Sequence, residues 1–274
     1  MVQFAVNQRL TPRWSLEQDL AAWAQADVPA VGLLRAKLAQ LETAQVKKLL
    51  DQHARQAVSL SWVGGFTGSD GRRFRDSVAD AQAAIESAAQ FGAACVVALS
   101  GSRGGHTHNH ARRLFRDALQ ELAPVAEEHN LLLVVETVHP QLPQTHNFLA
   151  SLDDALELLE KVGHPRVKLL LDLYHTAAEA DLPQRLGELV PQIGLVQLAD
   201  LAAPPQDQED RCLLGQGTLP LEQIVAALQQ GGYQGPWEVE LGGPQIEAMD
   251  PLQVLQHSRA ACLRLLEGGE KPQG

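Results

Sequence analysis

Short runs of aliphatic residues alternate with longer amphipathic stretches along the whole chain. Runs such as LLLVV and VKLLL are apolar at nearly every position, which is typical of parallel strands buried on both faces. The stretches between them repeat apolar residues with the period of an amphipathic helix. Eight such units predict an α/β fold, a single-domain (β/α)₈ TIM barrel. The predicted strands cover residues 3–6, 30–34, 59–63, 95–99, 131–137, 167–173, 193–199 and 237–241.

Helix starts are predicted where a hydroxyl side chain precedes an amphipathic stretch. Ser15 is followed three residues later by Gln18, and Ser151 by Asp154, and both patterns are typical of a helix N-terminus. The Pro-containing segment 202–210 follows the seventh predicted strand. We expect it to form a long active-site loop, because long loops inside a compact domain are often functional.

The length and composition are those of one acidic domain. A chain of 274 residues suits one barrel of about 250 residues, so we expect the barrel over residues 1–267 and a frayed tail over 268–274. The net charge of −11 argues against a nucleic-acid partner, because binding to a phosphate backbone depends on clustered Lys and Arg. A small sugar or polyol fits this charge better.

The cysteines and the first residues indicate where in the cell the protein is expected. Cys95, Cys212 and Cys262 are widely spaced with no CxxC pattern, which predicts neither a disulfide framework nor a thiolate zinc site. The first residues lack a basic segment followed by a long apolar core, and no run reaches the roughly 18 apolar residues of a membrane span. We expect a cytoplasmic protein without a membrane partner, and the sequence leaves homodimerisation open.

Four acidic or amide side chains stand near the ends of consecutive predicted strands: Glu136, Asp172, Gln197 and Glu240. Any one of them could be a helix cap or a solvated charge. Together they are expected to converge at the carboxyl-end face of the barrel, where active sites of this fold lie. Three carboxylates and an amide oxygen favour one Mn²⁺ or Mg²⁺ ion, with Co²⁺ or Zn²⁺ as alternatives. Glu238 lies two residues deeper, which favours a supporting role.

Four segments carry a family resemblance: ETVHPQ at 136–141, LLLDLYHT ending at Thr176, DRCLLGQG at 210–217 and WEVEL at 237–241. With them the chain resembles the xylose isomerase-like barrel superfamily of sugar isomerases and epimerases. Within it, the segments are similar to those of 2-keto-myo-inositol isomerase, and also to hydroxypyruvate isomerases and ketose 3-epimerases. The resemblance covers nearly the whole chain.

The resemblance implies specific roles. Glu136, Asp172 and Glu240 would be metal ligands. Gln197 stands where most relatives have His, but hydroxypyruvate isomerase-like sequences also have Gln at this position. Glu136 and Glu240 would also act as catalytic acid and base. By the same resemblance, His175 and Arg211 would hold substrate oxygens.

Further substrate contacts are expected from neighbouring loops. His106 belongs to the segment 100–113 after the fourth strand, which predicts a substrate-facing lid, a plain exposed loop, or a second metal site formed with His108 and His110. Trp62, near the end of the third strand, could cover the apolar face of a sugar or simply pack. His139, just after Glu136, is a weaker candidate for substrate contact.

These residues predict a divalent-metal-dependent isomerase or epimerase of a sugar or keto-polyol. Its reaction would proceed by proton transfer between carboxylates through a metal-stabilised enediolate. Alternatives are an inosose dehydratase-like lyase on the same scaffold, an endonuclease IV-like metal nuclease, and a barrel that only binds sugars. The sequence leaves open which sugar is used and whether it is phosphorylated.

Overall fold

Residues 4–177, 179, 181–205 and 210–268 are described by a computed structural model of the chain. Eight parallel strands form a closed barrel in chain order, and the last strand pairs with the first. The predicted single-domain (β/α)₈ barrel is therefore confirmed. The strands are β1 (Phe4–Asn7), β2 (Ala30–Leu34), β3 (Gln56–Val63), β4 (Cys95–Ala98), β5 (Leu132–Val135), β6 (Val167–Asp172), β7 (Ile193–Leu198) and β8 (Trp237–Val239).

Helices cover the outside of the barrel. Both predicted helix starts are confirmed, since the hydroxyls of Ser15 and Ser151 accept the backbone N–H groups of Gln18 and Asp154. Short 3₁₀ helices follow β1 at Gln8–Leu10 and precede β7 at Val190–Gln192. The α-helices are α1 (Leu16–Gln25), α2 (Arg35–Leu38), α3 (Thr43–Gln52), α4 (Phe74–Gln90), α5 (His108–Glu128), α6 (Leu152–Val162), α7 (Leu182–Leu189), α8 (Leu221–Gln230), α9 (Pro244–Glu247) and α10 (Pro251–Glu267).

Five predicted strands end earlier in the structure: β4, β6 and β7 by one residue, and β5 and β8 by two. β5 ends at Val135 and β8 at Val239, so Glu136 and Glu240 are the first residues beyond their strands. Their backbone N–H groups still bond to the preceding strands, but the Glu136 carbonyl accepts the side chain of Asn147 and leaves the ladder. The turn toward the barrel mouth therefore begins at these two glutamates.

Other segment predictions change at their edges. The segment 100–113 was expected to be a loop throughout, but α5 begins at His108, capped by the Thr107 hydroxyl. Residue 3 of the first predicted strand, residues 206–209 of the predicted active-site loop and residues 269–274 of the predicted tail lie outside the described residues. No helix in the described part of the chain combines the length and apolarity needed to cross a membrane.

The barrel interior consists of an apolar layer with a polar layer above it. Apolar side chains from alternate strand positions fill the lower part, as the two-residue periodicity of strands requires. Leu132, Val134 and Leu170 belong to this layer, so they share the inner face predicted for Glu136 and Asp172. The buried members of the layer are Ala5, Ala30, Val58, Cys95, Val97, Leu99, Val134, Leu170 and Leu195.

Glu238 is the centre of the polar layer. Its carboxylate is completely buried and accepts hydrogen bonds from Asn7 Nδ2 at 2.8 Å, Gln197 Nε2 at 2.8 Å and the Ser59 hydroxyl. Burial raises the pKa of Glu238 above its usual value. Gly32 makes room for it, since a Cβ at that position would lie 2.3 Å from Glu238 Oε2. Strands β1, β2, β3 and β7 thus meet at one carboxylate of β8.

Gly32→Ala should destabilise the barrel. The added methyl group would collide with the buried Glu238 network, so we expect a loss of about 1–3 kcal/mol in the free energy of unfolding. Urea unfolding followed by circular dichroism measures the change. The matched control is Gly187→Ala in α7, where a Cβ meets nothing within 4 Å and should add about 0.5–1 kcal/mol. A Gly32→Ala protein as stable as the parent would contradict the packing argument.

Candidate active site

Three potential ligand side chains lie together at the carboxyl ends of the strands. One oxygen each of Glu136 and Asp172 and one nitrogen of His175 lie within 4.8 Å of one another. The turn after β6 produces this arrangement, because Asp172 Oδ1 accepts the backbone N–H groups of Tyr174 at 2.7 Å and His175 at 3.4 Å. The chain therefore folds back, and the imidazole reaches the carboxylate three residues before it.

The orientation of the His175 ring is set by its neighbour. The backbone N–H of His139 donates to His175 Nδ1 at 3.3 Å. A neutral imidazole carries one N–H, so an accepting Nδ1 leaves the proton on Nε2. Nε2 lies 3.6 Å from Glu136 Oε1 and 3.9 Å from Asp172 Oδ2. The Nε2–H of His175 thus faces the carboxylate cluster and can donate a hydrogen bond there, which agrees with a substrate-holding role better than with metal ligation.

Arg211 connects two sides of the cluster. Its side chain is completely buried, with NH2 2.6 Å from Asp172 Oδ2 and 3.6 Å from Glu240 Oε1. The guanidinium also lies over the Tyr174 ring, 4.5 Å from Cζ to the ring centroid. A buried guanidinium is tolerated where carboxylates pair with it. The predicted substrate residue therefore contacts two of the predicted metal ligands.

Gln197 and Glu240 face each other across β7 and β8. Gln197 Nε2 donates to Glu240 Oε2 and to Glu238 Oε1. Burial raises the pKa of Glu240 to about 7, although the charges of Arg211 and Arg9 lower it. Gln197 Oε1 is buried and has no hydrogen-bond partner among the residues that the structure describes. An amide oxygen in this state is costly unless a cation or a ligand meets it.

The donor set fits a hard divalent cation. Glu136, Asp172 and Glu240 supply carboxylate oxygens, and Gln197 supplies the unpaired amide oxygen, which are the ligand types that Mg²⁺ and Mn²⁺ favour. Glu240 does not belong to the group formed by Glu136, Asp172 and His175, whose ligand atoms lie within 4.8 Å of one another. Arg211 NH2 lies between Glu240 and Asp172. The structure thus brings all four predicted ligands to one mouth, in two pairs joined by Arg211.

The remaining predicted substrate residues lie in the surrounding loops. The Trp62 side chain is 44% exposed at the end of β3, and its ring centroid is 6.0 Å from that of His146. His106 Nε2 lies 3.1 Å from the Thr67 carbonyl and thereby joins the loops after β3 and β4. His139 is buried, which lowers the pKa of its imidazole, and its Nδ1 accepts the N–H of residue 141. Its contact with the site is the backbone donation to His175.

Asp200 organises the loop that carries Arg211, and the sequence analysis missed it. Its buried carboxylate accepts four backbone N–H groups at 2.9–3.2 Å. At Gly217 a Cβ would lie 2.1 Å from Asp200 Oδ1, so the loop requires glycine there. The signal in the sequence was the acidic residue of QLAD followed by the glycines of LLGQG. The four donors are the backbone amides of Leu201, Gly215, Gly217 and Leu219.

Asn147 is a second residue that the sequence analysis missed. Its Nδ2 donates to the Glu136 carbonyl at 2.7 Å, and its Oδ1 accepts the Ser100 hydroxyl at 2.6 Å. Ser100 in turn accepts the N–H of Phe148 at 2.8 Å. These bonds tie the end of β5 to the loop after β4 and hold Glu136 at its turn. No pattern along the chain marks this contact, because Ser100 and Asn147 are distant in sequence.

The fold and the site define a class of protein. It is a (β/α)₈ barrel with paired carboxylates, an amide oxygen and a buried arginine at its mouth. The chain matches the family described as "Xylose isomerase-like TIM barrel" over residues 20–264. The protein belongs to the xylose isomerase-like TIM barrel family, and the predicted resemblance is confirmed.

The chain is similar in sequence to named relatives and in fold to solved structures. The chain is 31% identical over 175 residues to a putative hydroxypyruvate isomerase of Streptomyces coelicolor, covering 61% of this chain and 58% of that one. It is 24% identical over 155 residues to an inosose isomerase of Halalkalibacterium halodurans, covering 55% and 53%. The chain thus spans little more than half the length of these relatives. The crystal structure of the IOLI protein with a bound zinc atom superimposes with a TM-score of 0.84 at 18% identity, covering 99% and 100%.

Metal-free protein should lose stability as the pH rises through the pKa of Glu240. The folded pKa is raised to about 7 from the ordinary 4.5, so the folded state binds more protons than the unfolded state between these values. The free energy of unfolding should therefore fall from about pH 5 to about pH 8 more steeply than in Glu240→Gln. Urea unfolding in excess chelator measures both curves. Parallel curves would contradict the raised pKa.

Proposed function

We propose that the protein is a divalent-metal-dependent isomerase or epimerase of a small keto sugar or keto-polyol. The observation that carries this proposal is the convergence of Glu136, Asp172, Gln197 and Glu240 at one mouth, with a buried amide oxygen left unpaired. The names of the relatives support it, since two of them are isomerases of hydroxy-carbonyl compounds. A zinc atom in the similarly folded IOLI protein supports metal dependence.

Glu136, Asp172, Gln197 and Glu240 are the proposed metal ligands. A divalent ion bound there would polarise a substrate carbonyl and favour negative charge on the adjacent oxygens. Both carboxylates of Glu136 and Glu240 would then serve two purposes, as ligands and as groups that accept and return a proton. The native ion is proposed to be Mn²⁺ or Mg²⁺ because every donor is an oxygen.

Proton transfer is the chemistry assigned to the two glutamates. One carboxylate removes the proton from the carbon beside the carbonyl, and the electron pair moves toward the carbonyl oxygen to give an enediolate. Return of the proton to the former carbonyl carbon, together with transfer of the adjacent hydroxyl proton to the former carbonyl oxygen, gives an isomer. Return of the proton to the opposite face of the original carbon gives an epimer. A bound metal ion would keep the Glu240 carboxylate ionised at neutral pH, so that it could accept the proton.

His175 and Arg211 are the proposed groups that stabilise oxygen charge. The His175 Nε2–H and the Arg211 guanidinium both point among the carboxylates, where substrate oxygens would lie. Donors held in place before the reaction lower the energy of a developing oxyanion without reorganisation. Asp200 and Asn147 support this arrangement by fixing the Arg211 loop and the turn at Glu136.

Asp172→Asn should abolish both metal retention and turnover. The parent should retain about one divalent ion per chain after dialysis against Mn²⁺, measured by elemental analysis. It should also exchange the carbon-bound proton of a substrate for deuterium in D₂O, measured by NMR during a screen of hydroxypyruvate, inososes and ketohexoses. The variant should lose at least about 100-fold in turnover because it also leaves buried Arg211 poorly paired.

Asp153→Asn is the matched control, because Asp153 is an exposed carboxylate paired with Arg185 on the outer helices. It should retain both metal and activity. Formation of a product lighter by one water, without an isomer, would replace the isomerase proposal by the dehydratase alternative. Absence of bound metal, deuterium exchange and turnover in the parent would overturn the proposal.

A further inference from the structure

A second arginine reaches the proposed site from the end of β1, the strand that pairs with β8. Arg9 lies in the 3₁₀ helix that directly follows β1, at the carboxyl ends of the strands. Its NH1 is 3.3 Å from Glu240 Oε1, the same oxygen that lies 3.6 Å from Arg211 NH2. Two guanidinium groups therefore converge on one carboxylate oxygen. The Arg9 side chain is 37% exposed, whereas Arg211 is completely buried.

The position of Arg9 is built into the fold at two points. Its backbone N–H donates to Asn7 Oδ1 at 2.9 Å, and Asn7 is anchored below by its bond to Glu238. Its side chain passes over Gly242, where a Cβ would lie 2.8 Å from Arg9 Nε and 3.0 Å from its Cγ. The absence of a side chain at residue 242 thus leaves a channel for this arginine. An arginine that only faces solvent would need neither the bond to Asn7 nor the space at Gly242.

Glu240 has other polar partners besides Arg9. It already accepts the amide of Gln197 and lies within ion-pair distance of Arg211. Arg9 adds a second, solvent-accessible cation to a chain whose net charge is −11. A guanidinium presents a planar fork of N–H donors that matches a carboxylate or phosphate, and it binds such groups more strongly at a partly desolvated mouth than on an open surface.

We propose that Arg9 is a specificity-determining residue that binds an anionic group on the substrate. The substrate of this enzyme would then be a hydroxy-carbonyl compound that carries a carboxylate or a phosphate, and not a neutral sugar. The inference rests on the proposed function, since it assigns a substrate class to that same site. It adds a contact from β1 to a site otherwise built from β5 to β8.

Binding of three matched probes tests this assignment. Glycerol, glycerate and glycerol 3-phosphate share a carbon skeleton and differ in carrying no anion, a carboxylate or a phosphate. Calorimetry of Mn²⁺-loaded and of metal-free protein should show at least about tenfold tighter binding of one anionic probe than of glycerol. The anion preferred by the parent identifies which of the two groups Arg9 reads.

Arg9→Gln should lose most of this preference, about tenfold for the preferred anion, with little change for glycerol. Arg9→Lys should lose part of it, because an ammonium keeps the charge without the planar fork. Gly242→Ala should reproduce the loss while leaving the charge in place, because the added Cβ displaces the Arg9 side chain. Arg13→Gln is the matched control, since the Arg13 side chain is 89% exposed and lies 3.9 Å from Glu247.

Two results would overturn the assignment. Equal losses for glycerol and both anions would mean that Arg9 only holds Glu240 in place. Unchanged binding in Arg9→Gln would mean that the anion contacts other groups. The same experiments separate this inference from the proposed function. Turnover of neutral ketoses that Arg9→Gln leaves unchanged would retain the isomerase proposal and remove this inference. An anion preference that depends on Arg9, without any turnover, would retain this inference and remove the isomerase proposal.

Discussion

The buried ion pair between Asp172 and Arg211 is the contact on which the site depends. Both side chains are almost completely removed from water, so each would be costly without the other. Asp172 also accepts the backbone N–H groups of Tyr174 and His175 in the following turn, which brings the His175 side chain to Glu136. Arg211 extends toward Glu240 from a loop that Asp200 holds. One pair thus connects β6 with the loop after β7 and the end of β8.

A second buried carboxylate, Glu238, supports this layer from below. It binds Asn7, Ser59 and Gln197, so the side chain that donates to Glu240 is itself held by the polar layer of the barrel. Such an arrangement explains why acidic residues occur at alternate positions in WEVEL. The lower one orders the interior, and the upper one faces the mouth. Rigid strands below the site limit how far the upper carboxylate can move, which preorganises it.

The barrel and the candidate residues were largely predictable because they depend on local periodicity. Aliphatic runs mark strands wherever both faces are buried, and a polar residue at the end of such a run is visible against that background. The end of β5 was not predictable, because it depends on Asn147, which lies further along the same connection to α6 and donates to the Glu136 carbonyl. Arg9 was missed for a similar reason, since its partners Glu240 and Gly242 lie more than two hundred residues away.

The sequence by itself determined the alternation of strands and helices, the helix starts at Ser15 and Ser151, and the oxygen-rich character of the site, since each follows from neighbouring residues. Only the tertiary structure decided how the charges are distributed. Closing the barrel places β1 beside β8, and this brings Arg9 to Glu240. It also places Arg211 between Asp172 and Glu240. Coulomb interactions act through space, so their pairing depends on which strands become neighbours and not on spacing along the chain.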